Sequence, residues 1–130
     1  MIEKGCPIEV VDSQTLTMGL GLIDIAAATA ANAGKSLKEV LAVVNQSIPS
    51  VHLLGLLDTL EYLYRGGRIG RASHLLGSIL NVKPLLKLDE GEVAPAGKVR
   101  ARSKGMDKLF EFVKNAASIE DLAVVYNTTP

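Results

Sequence analysis

The sequence predicts an α/β fold in which helices pack on small sheets. Short apolar runs bounded by turn residues, such as residues 51–57, are typical of strands. They alternate with longer segments, such as residues 36–47, whose apolar positions recur at helical spacing. The chain has 130 residues, of which 48% are hydrophobic, so it can bury a core and disorder is not expected.

The first predicted elements are a strand and two helices. The strand is predicted at residues 8–12, where β-branched valines precede a polar turn. A helix over residues 17–33 follows, and because it is apolar nearly all round we expect it to be buried. The next helix, residues 36–47, begins with a capping box formed by Ser36 and Glu39.

The rest of the chain alternates in the same way. Further strands are predicted at residues 51–57, 83–88, 92–95 and 122–126, and further helices at residues 58–65, 68–80 and 103–116. The two strands around Gly91 are predicted to form a β-hairpin, since glycine accepts the backbone angles of a tight turn.

Charge and cysteine content limit the class of protein. Lys and Arg together number 14, as do Asp and Glu, and their mixing along the chain argues against binding to nucleic acid or to an anionic membrane. The single cysteine, Cys6, allows no internal disulfide, which favours a reducing compartment. No signal peptide is recognisable, and the most apolar run, residues 18–31, is short and interrupted by Asp24. We therefore expect a soluble, cytoplasmic protein with no stable membrane insertion.

The sequence contains no pattern of a known catalytic centre. Residues 33–36 resemble the end of a phosphate-binding loop, but Thr29 stands where that loop requires glycine. There is no Gly-x-Ser-x-Gly motif, no spacing of His and Cys typical of zinc sites, and no cluster of carboxylates at metal spacing. We therefore predict neither an enzyme nor a metal or cofactor site.

A polar loop between the first strand and the first helix is a candidate site. It contains Ser13, Gln14, Thr15 and Thr17. In open α/β sheets ligands bind beyond the carboxyl ends of strands, and helix N-termini attract anions. The loop is therefore a candidate cradle for an anion or a carboxylate. Alternatively, its Ser and Thr residues only cap the helix, and the residues by themselves do not decide between the two interpretations.

Residues 58–70 are rich in glycine and arginine. Asp58 or Thr59 can cap a helix there, and Gly66 and Gly67 can end it. Four arginines are candidates for a small anion- or partner-binding face, namely Arg65, Arg68, Arg71 and Arg100. The alternative is a solvated basic edge.

Three blocks of sequence occur in a fixed order. Residues 11–21 contain Val-Asp-Ser and then Met-Gly-Leu-Gly, residues 58–69 contain Asp-Thr-Leu-Glu-Tyr-Leu and then Arg-Gly-Gly-Arg-Ile, and residues 77–85 contain Gly-Ser and then Leu-Asn-Val-Lys-Pro-Leu. In this combination, and over nearly its whole length, the chain resembles the DegV family of bacterial fatty-acid-binding proteins. The central block is the most specific of the three.

The resemblance implies a fold and a function. Family members hold one acyl chain between two α/β domains of the DegV, or EDD, type. Residues 1–50 then correspond to part of the first domain, and residues 51–130 to the joint and part of the second. The implied function is that of a carrier without catalytic residues, which presents a long-chain fatty acid to a fatty acid kinase subunit. The fatty acid is a bound ligand in this interpretation, and no cofactor is implied.

The resemblance also implies where the carboxylate is held. The Asp-Ser motif of the family maps onto Ser13, whose hydroxyl is expected to bind the carboxylate. Thr17 and the backbone N–H groups of Met18 and Gly19 are expected to assist, since they lie at a helix start.

Family members are longer than this chain at both ends, so the chain corresponds to the middle of one. Partial domains expose strand edges and apolar faces, and we therefore predict a homo-oligomer that covers them. The alternative function is that of a truncated family member that acts only as an oligomeric structural or interaction protein, without lipid binding.

Overall fold

The computed structural model describes residue 5, residues 7–76 and residues 82–127, and within these the fold is α/β. The α-helices are α1 (Met18–Asn32), α2 (Leu37–Ser47), α3 (Glu61–Arg65) and α4 (Arg102–Lys114). The strands are β1 (Leu54–Leu56), β2 (Lys83–Asp89) and β3 (Glu92–Val99), and two short 3-10 helices span Ile48–Ser50 and Gly70–Leu75.

The three strands form one antiparallel sheet in the order β1-β2-β3. The predicted hairpin of β2 and β3 is confirmed, although β3 continues to Val99 rather than ending at residue 95. Its turn residues Glu90 and Gly91 both have positive φ, 55° and 78°. This is the backbone shape of a two-residue turn whose twist matches that of the flanking strands.

The two long helices at the start of the chain pack against each other, and both predictions are confirmed. At the start of α2 the Glu39 carboxylate accepts hydrogen bonds from the Ser36 backbone N–H at 2.8 Å and from the Ser36 hydroxyl at 2.6 Å. These two bonds lower the pKa of the Glu39 carboxyl below its ordinary value. The predicted capping box is therefore present.

The expected burial of α1 is wrong. Ile23 and Ala30 are buried in α1, but Leu20 and Ile25 are exposed. Helix α2 covers one side of α1, and among the described elements no further layer packs extensively on its other side.

A core forms where the sheet meets the segment that follows α3. Leu60, Ala72 and Leu86 are buried together there, and Leu63 and Val93 pack against them. These residues come from α3 and its N-cap Leu60, the second 3-10 helix and two strands, so residues far apart in the chain hold this half of the structure together.

Two predicted strands, residues 8–12 and 122–126, are wrong: both segments lie outside any helix or strand. Val10 and Tyr126 are 93% and 80% exposed. A strand exists only through its hydrogen-bonded neighbour, and no segment in the described ranges pairs with either one. Both segments contain the β-branched residues typical of strands, but the described residues include no strand that pairs with them.

The elements between residues 51 and 76 are shorter than predicted. Strand β1 covers only Leu54–Leu56 of the predicted residues 51–57. Helix α3 begins at Glu61, not at residue 58, and the Thr59 hydroxyl just before it accepts from the Glu61 N–H at 3.1 Å. The helix predicted at residues 68–80 is a 3-10 helix over Gly70–Leu75, and residues 77–80 lie outside the described residues.

The predicted helix stop after α3 is confirmed in detail. Gly67 has a φ of 67°, its N–H donates to the Tyr64 carbonyl at 3.0 Å, and the Arg68 N–H donates to the Leu63 carbonyl at 2.8 Å. This pair of bonds is the Schellman motif, which satisfies the last carbonyls of a helix and favours glycine at the left-handed position.

Asp58 does not cap α3 but joins three elements. Its carboxylate accepts from Lys83 Nζ at 2.5 Å and from Arg102 Nη1 at 3.1 Å. The hydrogen bond from Lys83 lowers the pKa of the Asp58 carboxyl, and the charge of Arg102 adds to the shift. The loop after β1 is thereby tied to the starts of β2 and α4.

Helix α4 is confirmed within two residues of its predicted ends and packs on the sheet. Its buried residue is Gly105, which lies against Leu56 of β1. No helix in the described ranges is both long and apolar enough to cross a membrane.

Candidate functional site

The polar loop before α1 is ordered by local hydrogen bonds. The Asp12 Oδ1 atom accepts from the Gln14 backbone N–H at 3.0 Å, as in an Asx turn. The Ser13 hydroxyl donates to the Thr15 carbonyl at 3.4 Å. That distance exceeds the usual 2.5–3.0 Å of an O–H···O bond by about 0.4 Å, so the bond is weak. The partly buried Ser13 hydroxyl is therefore held weakly, and a stronger acceptor can replace its present one.

The backbone of this loop is strained at two positions. Gln14 and Thr17 have φ values of 51° and 54°, a region that residues other than glycine rarely adopt. Thr17 is β-branched and occupies the N-cap position of α1, yet its side chain makes no capping hydrogen bond. The interpretation that the loop hydroxyls only cap the helix therefore fails for Thr17. Strained residues of this kind cluster at ligand-binding sites.

Thr15 provides the least expected feature of the loop. Its hydroxyl oxygen is buried and has no hydrogen-bond partner among the described residues. A β-carbon added at Gly19 would lie 2.4 Å from that oxygen and 3.1 Å from Val51 Cγ1. Only glycine fits at position 19 without displacing the Thr15 side chain or the loop. The sequence placed Thr15 in the polar cradle but not among the carboxylate ligands, because its burial against Gly19 depends on the folded chain.

The start of α1 offers fewer backbone donors than the sequence suggested. The Gly19 N–H donates to the Leu16 carbonyl at 3.1 Å, and the Gly21 N–H donates to the Thr17 carbonyl at 3.2 Å. Met18, the first residue of α1, is partly exposed. The Gly19 N–H is thus already engaged, and hydroxyl groups are the more available donors in the loop.

The four arginines of the predicted anion or partner face have different surroundings. Arg65 pairs with Glu61 one helical turn earlier, at 2.5 Å. Arg71 Nη2 lies 3.0 Å from Asp89 Oδ2, and Arg71 Nε lies 3.5 Å from Glu92 Oε2. Arg68 and Arg100 are exposed. Carboxylates already neutralise Arg65 and Arg71, and the binding face stays a prediction.

A pocket of about 270 Å³ lies beside α3. It is lined by Asp58, Thr59, Leu60, Glu61, Tyr64, Leu75, Leu76, Val82 and Pro84. Both of its carboxylates are engaged, that of Asp58 by Lys83 and Arg102 and that of Glu61 by Arg65. Within residues 7–76 and 82–127 no group of three or more His, Cys, Asp or Glu side chains could hold a metal ion.

Comparison with known proteins identifies the family. The model of the family described as "Uncharacterised protein, DegV family" matches residues 1–130. The chain belongs to the DegV family. Among curated relatives, a DegV domain-containing protein of Caldanaerobacter subterraneus subsp. tengcongensis is 39% identical over 115 residues, which is 88% of this chain and 41% of that protein. A DegV domain-containing protein of Streptomyces coelicolor is also 39% identical, over 98% of this chain and 46% of its own length.

Solved structures of DegV proteins share the fold. A structure described as "Fatty Acid Binding of a DegV family Protein from Thermus thermophilus" matches with a TM-score of 0.76 and 36% identity, over 86% of this chain and 40% of that one. A structure of DegV from Bacillus subtilis, described as a fatty acid binding protein, matches with a TM-score of 0.68 and 28% identity. The match covers 80% of this chain and 37% of that one. The predicted DegV-type α/β fold is confirmed, and the chain spans less than half the length of these relatives.

Proposed function

We propose that this DegV chain binds a long-chain fatty acid, with the carboxylate held near Ser13. The observation that carries the proposal is the match to the DegV family over residues 1–130, together with the fatty-acid-binding relative from Thermus thermophilus at 36% identity and a TM-score of 0.76. The Bacillus subtilis DegV protein supports the same ligand class.

The chemistry of the loop before α1 supports the position of the carboxylate. The Ser13 hydroxyl has only a long hydrogen bond to release, and the Thr15 hydroxyl is buried without a partner. A buried donor without an acceptor costs free energy that a carboxylate oxygen recovers. Thr17 and Met18 complete the proposed group together with Gly19, which has no side chain to crowd the Thr15 hydroxyl, and the N-terminal end of α1 favours negative charge.

The apolar surface of α1 supports the position of the acyl chain. Met18 and Ile25, seven residues apart on one face of this helix, are exposed, as is Leu20 on another face. The helix begins directly after the polar loop. Each buried CH₂ group of an acyl chain contributes about 0.8 kcal/mol. With the carboxylate at the loop and the acyl chain along α1, a few polar contacts would fix the head group. Burial of the acyl chain would supply most of the binding free energy.

The proposed role is that of a carrier and not of an enzyme. The fatty acid is a ligand, no cofactor is invoked, and a fatty acid kinase subunit is the proposed recipient. Arg65, Arg68, Arg71 and Arg100 are the candidates for docking that partner or another anion. We place the carrier in the cytoplasm as a homo-oligomer, with residues 1–50 and 51–130 as portions of two DegV-type domains.

Binding of palmitate and of its uncharged analogue hexadecanol tests the ligand and the carboxylate contact together. We expect palmitate adducts in native mass spectrometry, and we expect Ser13→Ala to weaken palmitate binding about fivefold, the loss of one hydrogen bond of about 1 kcal/mol. Hexadecanol binding should change little in that variant. Ser103→Ala, at an exposed serine of α4, is the matched control. Absence of any lipid adduct in the wild-type chain would refute the proposal.

One set of observations favours a second candidate, an oligomeric structural protein without lipid binding. Val10, Leu122, Val124 and Tyr126 are all exposed apolar side chains in segments without secondary structure. Such surfaces favour association between copies. Analytical ultracentrifugation with and without palmitate separates the two candidates, since a stable oligomer that never takes up palmitate supports the second. A clean monomer contradicts the predicted self-association in either case.

A further inference from the structure

The turn of the β2–β3 hairpin lies beside the polar loop before α1, although the two are far apart in sequence. A β-carbon added at Gly91 would lie 3.6 Å from Gln14 Cα and 3.8 Å from Gln14 Cβ, which is ordinary van der Waals contact. Gln14 directly follows Ser13, and its φ is 51°. The hairpin turn is therefore a neighbour of the residue that separates Ser13 from Thr15, whose carbonyl accepts the Ser13 hydrogen bond.

The same turn is held from its other side by Arg71. Its guanidinium donates to the Asp89 carbonyl at 2.5 Å and pairs with the Asp89 carboxylate at 3.0 Å. It also pairs with the Glu92 carboxylate at 3.5 Å. Asp89 ends β2 and Glu92 begins β3, so one arginine bridges both ends of the two-residue turn.

Among the described residues, the loop is held by local hydrogen bonds and by the buried Thr15 side chain near Gly19. The hydrogen bonds of Ser13 and Gln14 are to residues two positions away, so they shape the loop without tying it to the rest of the chain. The position of the loop relative to the sheet then depends on packing with its neighbours, and Gly91 is the neighbour of Gln14 in the hairpin turn.

We propose that the hairpin turn positions the carboxylate-binding loop and that Arg71 is a positioning residue for Ser13. The inference rests on the proposed function, because the loop matters only if it binds the carboxylate. Arg71 acts through Asp89 and Glu92 on the turn, and the turn acts through Gly91 on Gln14. Arg71 itself does not touch the ligand.

The first test needs no ligand. In two-dimensional ¹H–¹⁵N spectra of the full chain, Arg71→Gln should shift the backbone amide signals of Ser13, Gln14 and Thr15, and Arg71→Lys should shift them less, since lysine keeps the charge but not the forked geometry. Lys108→Gln, which removes a positive charge on α4, is the matched control and should leave those signals in place. Unmoved loop signals in Arg71→Gln overturn the proposal whatever the protein binds.

The second test measures the preference for a carboxylate. The preference is the dissociation constant of hexadecanol divided by that of palmitate. In Arg71→Gln this ratio should fall about fivefold, because palmitate binding weakens while hexadecanol binding is unchanged. In Arg71→Lys the ratio should partly recover. A general loss of packing would weaken both ligands alike and leave the ratio unchanged. If wild type prefers palmitate and Arg71→Gln keeps that preference, the positioning role is wrong and the proposed function stands. If wild type shows no preference, the carboxylate site itself is wrong, and the positioning role with it.

Discussion

Gly105 of α4 lies so close to Leu56 of β1 that a β-carbon at Gly105 would be 2.4 Å from Leu56 Cδ2 and 2.6 Å from Leu56 Cδ1. Gly105 is also the buried residue of its helix. Glycine inside a helix is usually unfavourable, by about 1 kcal/mol relative to alanine. Here the missing side chain lets the helix approach the sheet closely, which explains why a poor helix former stands at this position.

Gly105→Ala is therefore expected to destabilise the protein despite the better helix propensity of alanine. The added methyl group must displace Leu56 or lift α4, at a cost of about 1–3 kcal/mol. Gly21→Ala in α1 is the matched control, because its β-carbon would meet only the flexible end of Met18, at 3.4 Å. Urea unfolding of both variants checks the prediction. Equal stability gains in the two would contradict it.

Thr15→Val separates a ligand-binding hydroxyl from a structural one. The Thr15 hydroxyl is buried without a partner, so its replacement by a methyl group should leave the free energy of unfolding unchanged or raise it by up to about 1 kcal/mol. If the hydroxyl helps to hold a carboxylate, palmitate binding should weaken about fivefold. Thermal unfolding and palmitate titration test the two effects.

Thr29→Val, in α1, is the control for Thr15→Val, in the loop before that helix. The Thr29 hydroxyl donates to the Ile25 carbonyl at 2.7 Å on an exposed surface, and its loss should not change palmitate binding. A loss of stability in Thr15→Val larger than in Thr29→Val would show that the Thr15 hydroxyl has a structural partner after all.

The ion pairs of Asp58 should make stability depend on acid pH. Because Lys83 and Arg102 lower the pKa of this carboxyl in the folded state, its contribution is fully present above the ordinary value of 3.8. The contribution is lost as the pH falls through the lower folded-state value. Asp58→Asn should unfold more easily than wild type at neutral pH, and the difference should shrink in acid.

Urea unfolding at a series of pH values from neutral to strongly acidic measures the Asp58 effect. Asp107→Asn on α4, whose carboxylate pairs with Lys104 one turn away, is the comparison. A constant difference between wild type and Asp58→Asn down to the most acidic point would contradict the assignment.

Leu60 is expected to be among the most sensitive positions of the central signature. It is 5% exposed and packs with Ala72 and Leu86, so Leu60→Ala should cost about 2–5 kcal/mol. Tyr62, on the exposed side of α3, is the control, and Tyr62→Ala should cost far less. Chemical denaturation of the two variants measures the difference, and similar costs would mean that Leu60 is not part of the core.

The sequence predicted those elements whose signals are local. The capping box of Ser36 and Glu39 marks the start of α2, Gly67 ends α3, and Gly91 marks the hairpin turn. In each of these, a few neighbouring residues supply both the hydrogen bonds and the backbone angles. Neither a distant partner nor burial is needed for the pattern to be recognised.

The elements and site features that were missed depend on distant residues. Residues 8–12 have strand composition but lack a hydrogen-bonded neighbour among the described residues. The buried state of the Thr15 hydroxyl depends on its approach to Gly19 beside Val51. Arg71 was predicted on an anion- or partner-binding face or on a solvated basic edge, but its carboxylate partners lie across the fold in the hairpin. Sequence spacing does not encode such contacts.

Residues 122–126 have a consequence for handling the protein. The sequence Leu-Ala-Val-Val-Tyr has high β-propensity and no charge, and its side chains at Leu122, Val124 and Val125 are exposed. Unpaired segments of this composition template cross-β aggregation. We therefore expect the protein to form fibrils at high concentration, and the pentapeptide should seed them. Val124→Lys places a charge in the segment and should suppress the fibrils. That variant could then be crystallised or studied by spectroscopy at higher protein concentrations.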